Sequence, residues 1–462
     1  MKKYTSLLLI IFIIIINTPL YSQCFTKISS GLYHIAAQKS DNSFWTWGSD
    51  NGYQMGNENF IPELSPIQLS TTTNWNFVVA GRGENTFAIR NDNKLWGIGA
   101  NQNGQLGIGS SVIGLSSFTQ IGTSSWKHIS STDHTYAIQT NGSLWGWGQN
   151  NEGQMGNGTC CSNQLSPVQI GTALDWKQVE ASQTGTGLAI KENGTLWGWG
   201  SNTSRLITTP SITIVNFPTQ IGTDSDWEFI SVGASQCLAL KSNGTLWSWG
   251  SNGYGQNGTS SNSNVPQQVG SDTWIYVYAG FLSSFAIKSN GTLWAWGKND
   301  LGQLGDGTTT QRTAPIQIGS DTDWVAVAAG VYHGIALKSN GSLWAWGNNE
   351  YGQYGNGTTT VSPTPLYIPV VGCTLSVSDF QQIPVVMAPN PAKDRTTIIY
   401  ENLPLNSEFY IYDLTGRLMI TQYLSEKSGK ININLVSFPS GIYIAVVKFQ
   451  GALFSQFKLV KQ

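Results

Sequence analysis

Few side chains in this 462-residue sequence could do chemistry, and their spacing argues for a scaffold rather than a catalyst. Three of the four histidines, His34, His134 and His333, recur at one position of an internal repeat, where the other copies carry Glu84, Thr186, Gln236 and Ser283. A closed ring could bring three imidazoles together around a metal ion. A polar position repeated in every copy is better explained by hydrogen bonding inside the unit. The acids Glu84, Asp133 and Glu180 lie near corresponding loops. Glycoside hydrolysis would need two such carboxylates flanking one bond, and nothing in the spacing makes these converge. Asp224-Ser225-Asp226 and Asp321-Thr322-Asp323 are equivalent loop acids and read as solvated turns rather than calcium sites. No catalytic residue, cofactor ligand or metal ligand is assigned, no cofactor is expected, and the chain is not expected to be an enzyme.

Charge narrows the partners. Charged residues make up 11% of the chain and the formal net charge is -2, with no cluster of Lys and Arg beyond the first residues. A nucleic-acid partner would need such a cluster, so none is expected. Lys2-Lys3 followed by the apolar run Leu7 to Ile16 reads as a signal peptide over residues 1–22. A run of about ten apolar residues is too short to cross about 30 Å of hydrocarbon. Lipid attachment at Cys24 is a rival reading, but Tyr21 and Gln23 ill suit the small residues that precede a lipidated cysteine. Export would place the five cysteines in a disulfide-permissive setting. None has the spacing of a zinc site.

The elements that must position these residues come from one repeated unit. Trp-x-Trp-Gly anchors or their variants end at Gly48, Gly99, Gly148, Gly200, Gly250, Gly297 and Gly347, spaced by 51, 49, 52, 50, 47 and 50 residues. A second series, Trp75, Trp126, Trp176, Trp227, Trp274 and Trp324, precedes the anchors, and Phe25 holds that place in the first unit. All 19 tryptophans fall into these two series. Within each unit an apolar run, a turn and a second apolar run predict a hairpin, as in Phe285 to Lys288, Asn290-Gly291 and Leu293 to Trp296. Asn-Gly supplies the positive φ angles of a tight hairpin turn. A Gly-rich loop and a further short strand complete about 50 residues. Four short strands per unit and no amphipathic helix predict a seven-bladed β-propeller over residues 23–370. Such a ring joins its ends, so a Cys24–Cys373 disulfide is expected. Cys160-Cys161 are adjacent in a loop and Cys237 falls in a predicted strand, and these three read as unpaired or locally paired thiols.

The unit resembles the regulator of chromosome condensation repeat. The clearest copy runs from Ala329-Gly330-Val331-Tyr332-His333 through Trp344-Ala345-Trp346-Gly347 to Gly352-Gln353-Tyr354-Gly355-Asn356-Gly357, and the resemblance spans about residues 25–369. It implies a seven-bladed propeller that binds proteins. Nucleotide exchange on a nuclear GTPase, an activity within that family, needs a eukaryotic cytosolic partner and is not expected of an exported chain. Departures sit in loops. Unit three carries Cys160 and Cys161, and unit four replaces its Gly-Gln loop with Asn202-Thr203-Ser204-Arg205-Leu206-Ile207. Cys160, Cys161 and Arg205 are therefore candidate binding-loop residues.

After Cys373 the composition changes, and residues 371–386 read as a linker. Residues 387–462 alternate strands and turns, with Pro389-Asn390-Pro391, Asp413-Leu414-Thr415-Gly416-Arg417 and Gly441-Ile442-Tyr443 in order. A small β-sandwich is expected. It resembles the C-terminal sorting domain of the type IX secretion route of Bacteroidetes. That resemblance implies delivery by the type IX machinery to the outside, secreted or held at the cell surface. The expected function is a non-enzymatic binding protein whose loops meet an extracellular protein. The alternative is a surface adhesin or glycan-binding module, which exposed Tyr53, Tyr254 and Tyr351 would support; a secreted hydrolase is a third.

Overall fold

The computed structural model describes residues 24–56, 60–72, 74–207, 212–370, 386–400, 403, 407–413, 418–449 and 452–462. The expected signal peptide, the 371–385 part of the expected linker and Cys373 lie outside the described residues. The chain divides into two compact units, with Gln23–Thr374 forming one and Leu375–Gln462 belonging to the other.

In the larger unit the described residues form seven antiparallel four-stranded blades, each built from one contiguous stretch of chain. The first blade orders Phe25–Ser30, His34–Lys39, Phe44–Gly48 and Glu63–Ser70 from the ring axis outward. The fifth and sixth blades share one long strand, Ser263–Ala279, which is outer strand to one and inner strand to the next. In every hairpin the first residue of the second strand pairs with the anchor glycine, as His333 does with Gly347 and His34 with Gly48. Inner strands of neighbouring blades lie side by side, and Phe25–Ser30 meets Trp324–Ala329 to close the ring.

Alternation explains the packing. Along the inner strands Ile28, Val78, Ile129, Val179, Ile230, Val277 and Val327 face between blades. The second anchor tryptophan of each unit (Trp47, Trp147, Trp199, Trp249, Trp296 and Trp346) is fully buried between blades. Each buries roughly 200 Å², worth about 5 kcal/mol of apolar transfer. The indole N–H of each donates to a carbonyl in the Gly-rich loop of the preceding blade: Trp147 to Gln105 at 2.8 Å, Trp346 to Gln303 at 2.9 Å, and Trp47 to Gln353 at 2.9 Å across the ring closure. Glycine is needed under these rings. At Gly107 (φ 73°) a Cβ would stand 2.8 Å from Trp147 Nε1. In the second blade Ile98 replaces the indole, and the Thr86 hydroxyl, equivalent to those of Thr135 and Ser284 that donate beside the indole in their blades, donates to Gln54 O at 3.0 Å. The altered loop of unit four keeps the lock, since Trp249 Nε1 donates to Leu206 O at 2.9 Å and Asn202 Oδ1 accepts from Ile207 N, also at 2.9 Å.

The first anchor tryptophans are half-buried, and all but Trp145 lie under cations. Lys39, Arg90, Lys191, Lys241, Lys288 and Lys338 each sit over an anchor ring and over its inner-strand aromatic partner, at 3.6–5.5 Å. Here the paired loop acids find their work. Asp224 and Asp226 grip Lys241 at 2.8 and 3.0 Å, and Asp321 and Asp323 grip Lys338 at 2.7 and 3.1 Å.

The second unit has two antiparallel sheets. One contains Val386–Ala388, Arg395–Tyr400 and Gly429–Asn434; the other contains Leu418–Leu424, Ser407–Asp413, Gly441–Phe449 and Ala452–Lys461. Ile398, Tyr400 and Ile433 from the first share a core with Phe409, Ile411, Tyr443 and Leu459 from the second, which is the packing of a β-sandwich.

Candidate functional site

The hairpin registers place two sets of loops at one end of the ring. They are the turns from inner to second strand and the Gly-rich loops that follow each anchor glycine. Asn-Gly hairpins occupy the other end.

The repeated histidines are clamps within the loop end. His333 Nε2 lies 3.0 Å from Ser30 Oγ across the closure, His34 Nε2 lies 3.1 Å from Thr86 Oγ1 in the next blade, and His134 Nδ1 lies 3.0 Å from Thr132 Oγ1. Gln236, at the same position, donates to Gly280 O in the next blade at 3.1 Å. Burial drives His34 down to about 4 and His134 and His333 to about 3, with the neighbouring His34 a smaller cause for His333. These rings are neutral hydrogen-bonding groups. The second blade corrects the expected alignment. Asn85, not Glu84, pairs with Gly99 there, because the turn after Gly81 is one residue longer than the turn after Gly31.

Glu84 is thereby freed to face Asp133 of the next blade. Burial raises both carboxyls, and the Asp133 charge adds a smaller upward push on Glu84. Glu180 does not join them. It lines the axial cavity, where the groups acting on it are Gln178, Arg82 and Ser130.

Cys160 and Cys161 form a disulfide with each other in an exposed loop of the third blade, with Cys161 held at φ 73° and its N–H donating to Asn150 O at 2.7 Å. Arg205 is exposed at φ 61°, in the place where five other blades have a glycine of positive φ. Tyr53, at φ 66°, is the other exception, and its ring packs on Phe60 at 4.2 Å. A left-handed conformation costs a non-glycine residue about 1–2 kcal/mol. Cys24 is disulfide-bonded; its expected partner, Cys373, lies outside the described residues. Cys237 is a buried free thiol, and burial pushes its pKa well up.

A group the sequence did not single out stands on the same loop end. The Tyr33 and Tyr351 rings meet edge-on at 5.5 Å across the ring closure. Lys298 lies over Tyr254 at 5.3 Å and over Tyr332 at 5.0 Å. Four tyrosines and one lysine thus span blades five, six, seven and one. Tyr254 is 40% exposed, and the others are half-buried. Only Tyr254 and Tyr351 of these were signalled by the sequence, because Tyr33 and Tyr332 sit in turns where the other five copies carry Glu84, Asp133, Gly185, Ser235 and Leu282.

Comparison with known proteins follows this geometry. Residues 141–188, 243–287, 290–337 and 340–383 match the family profile of the regulator of chromosome condensation (RCC1) repeat, and a second profile of that repeat matches 228–256, 274–303 and 324–353. RCC1 repeats are thus detected over blades three to seven. Residues 386–462 match the secretion system C-terminal sorting domain, which marks type IX cargo that is secreted or attached to the cell surface. No described helix is long and apolar enough to cross a membrane. The ultraviolet-B receptor UVR8 of Arabidopsis thaliana is 34% identical over 88 residues, covering 19% of this chain and about a fifth of that protein. Among solved structures, human WBSCR16 superposes with a TM-score of 0.61 at 22% identity, covering 69% of this chain and 87% of that one. Prp20p from Saccharomyces cerevisiae, studied for its binding to Gsp1p and histones, superposes at 0.62 with 19% identity, covering 76% and 88%. At these identities the likeness concerns the fold of an RCC1-repeat propeller.

Proposed function

We propose that the protein is a secreted or surface-held binding platform, delivered by its sorting domain, whose loop end docks an extracellular protein. The observation that carries this reading is the tyrosine and lysine arc of Tyr33, Tyr254, Tyr332, Tyr351 and Lys298. Tyrosines offer large amphipathic contact area at small entropic cost, and such residues dominate the energetic centres of protein interfaces. The arc sits on loops held by a rigid ring, the arrangement in which binding residues are usually carried. Cys160, Cys161 and Arg205, exposed in the loops of blades three and four and the last two in left-handed backbone, would extend the contact beyond the arc. Prp20p supports protein binding by this fold; its own partners are not carried across. Of the three acids singled out in the sequence, Glu84 and Asp133 face each other at the loop end, while Glu180 lines the axial cavity.

A glycan-binding reading rests on the exposed ring of Tyr254. One experiment separates the two. The full-length chain is used as bait against extracellular extracts from the source organism's habitat, with a glycan array in parallel. Saturable capture of one protein, lost in a Tyr33→Ala/Tyr351→Ala variant, supports the platform. Glycan binding without a protein partner overturns it.

A further inference from the structure

The seven inner strands enclose a cavity of about 380 Å³ along the ring axis, a size typical of small-molecule sites. Its two ends differ. Exposed Thr26 and Lys27 stand at the end away from the functional loops. At the loop end buried Arg82 crosses from the second blade and donates to the carbonyls of Val232 and Ala279 on blades five and six. Nearby the Tyr278 hydroxyl reaches Ser30 O at 3.1 Å, from blade six to blade one. The cavity is therefore a well with a floor.

The wall is unlike the repeat that makes it. Two side chains from each inner strand face the axis. At the deeper level blades one to seven put Ser29, Val79, Ser130, Glu180, Ser231, Tyr278 and Ala328. Nothing in the blade architecture calls for an acid, since six blades close without one. Yet Glu180 is there, accepting from Ser130 Oγ and Gln178 Nε2, each at 3.1 Å. The basic groups nearby are otherwise engaged. Arg82 donates to the two carbonyls of the floor and acts on Glu180 by charge alone, an effect smaller than that of burial, and Lys27 Nζ donates to Asn76 O at the rim, at 2.6 Å. The ion-pair contact that Glu180 makes among the described residues is His128 Nε2 at 3.8 Å. Burial holds that imidazole neutral, at about 4, and the same nitrogen has no hydrogen-bond partner among the described residues. The rings of Phe77, Phe229 and Tyr276 line the same cavity as Glu180, the last two with centroids 6.2 Å apart. A buried carboxylate without a cation is costly, and aromatic faces attract cations.

We propose that the well binds a small molecule carrying a protonated amine on a compact ring or apolar body, the ammonium pairing with Glu180 and the body packing against Phe77, Phe229 and Tyr276. Such a ligand supplies a cation in direct contact with the carboxylate, which Arg82, acting on it by charge alone, does not. Burial raises the Glu180 carboxyl to about 7, so at neutral pH part of the population holds a proton that an arriving ammonium displaces. The site is separate from the loop end and does not depend on the partner proposed for it.

Calorimetric titration of the full-length chain with tyramine and with glucosamine tests this, with 4-propylphenol and glucose as uncharged counterparts. At least one amine is expected to bind saturably at one site, at least tenfold more tightly than its counterpart, with proton release read from the dependence of the heat on buffer. Glu180→Gln should weaken that binding at least tenfold while the protein stays folded, and Phe229→Ala should weaken it separately. Equal binding of amine and counterpart, unchanged binding in Glu180→Gln, or no saturable binding of either amine would each overturn the proposal.

Discussion

Acid should loosen this ring through its histidine clamps. His34, His134 and His333 are fully buried, with folded-state values of about 4, 3 and 3 against 6.5 in an unfolded chain. A base whose value is lowered on folding binds more protons when unfolded. Stability is thus full above about pH 6.5 and falls as pH drops below it, until the folded-state values are reached. At pH 5 each imidazole held neutral costs about 2 kcal/mol relative to pH 7. Three together cost about 6 kcal/mol, a large part of the 5–15 kcal/mol typical of a folded domain. The repeat supplies the control, because Gln236 performs the same clamp without a titratable group. The triple variant His34→Gln/His134→Gln/His333→Gln should therefore lose far less stability between pH 7 and pH 5 than the parent. Glu180 and Asp50, which burial raises to about 7 and about 6, work in the opposite direction but are common to both proteins. Denaturant midpoints of the two proteins at both pH values decide the matter. Equal losses on acidification would refute the clamp reasoning.

Three further outcomes follow from the packing. Trp147→Phe keeps most of the apolar burial and removes one of the two donors to Gln105 O, leaving the Thr135 hydroxyl at 2.8 Å, and should cost about 1 kcal/mol, against about 3–5 kcal/mol for Trp147→Ala, both read from denaturant midpoints. Arg82→Met leaves the Val232 and Ala279 carbonyls without their charged donor and should lower stability by about 3 kcal/mol, seen as a drop in melting temperature. The double change Cys160→Ser/Cys161→Ser, in an exposed loop, should move the midpoint by less than about 0.5 kcal/mol, so any loss of partner capture in that variant reports on binding.

The ring was legible in the sequence because its determinants are local and periodic. Trp-x-Trp-Gly spacing, Asn-Gly turns and the absence of a helical period fix blade number and strand order residue by residue. What the sequence hid is either a matter of register or of contact across the ring. The extra residue in the turn after Gly81 moved Asn85 into the clamp position and left Glu84 free, and no pattern of residue types marks that shift. A bulge between Trp176 and Gln178 interrupts strict alternation, so the axial orientation of Gln178 and Glu180 could not be read from period two. Arg82 reaches carbonyls 150 and 197 residues away, which no local signal encodes. Pairing of the loop acids with Lys241 and Lys338 was missed for a milder reason: the lysine lies at the far end of the neighbouring strand. Cys160 and Cys161 stood out by type, yet their mutual disulfide needed the loop geometry.

The loop end of the ring is the proposed docking surface. The most direct measurement compares the binding of the captured extracellular partner by the parent chain with that of two variants, Tyr33→Ala/Tyr351→Ala/Lys298→Ala at the loop end and Asn193→Ala/Asn290→Ala at the hairpin end. The account predicts at least tenfold weaker binding for the loop-end variant alone. Unchanged binding there, or loss confined to the hairpin-end variant, would contradict it.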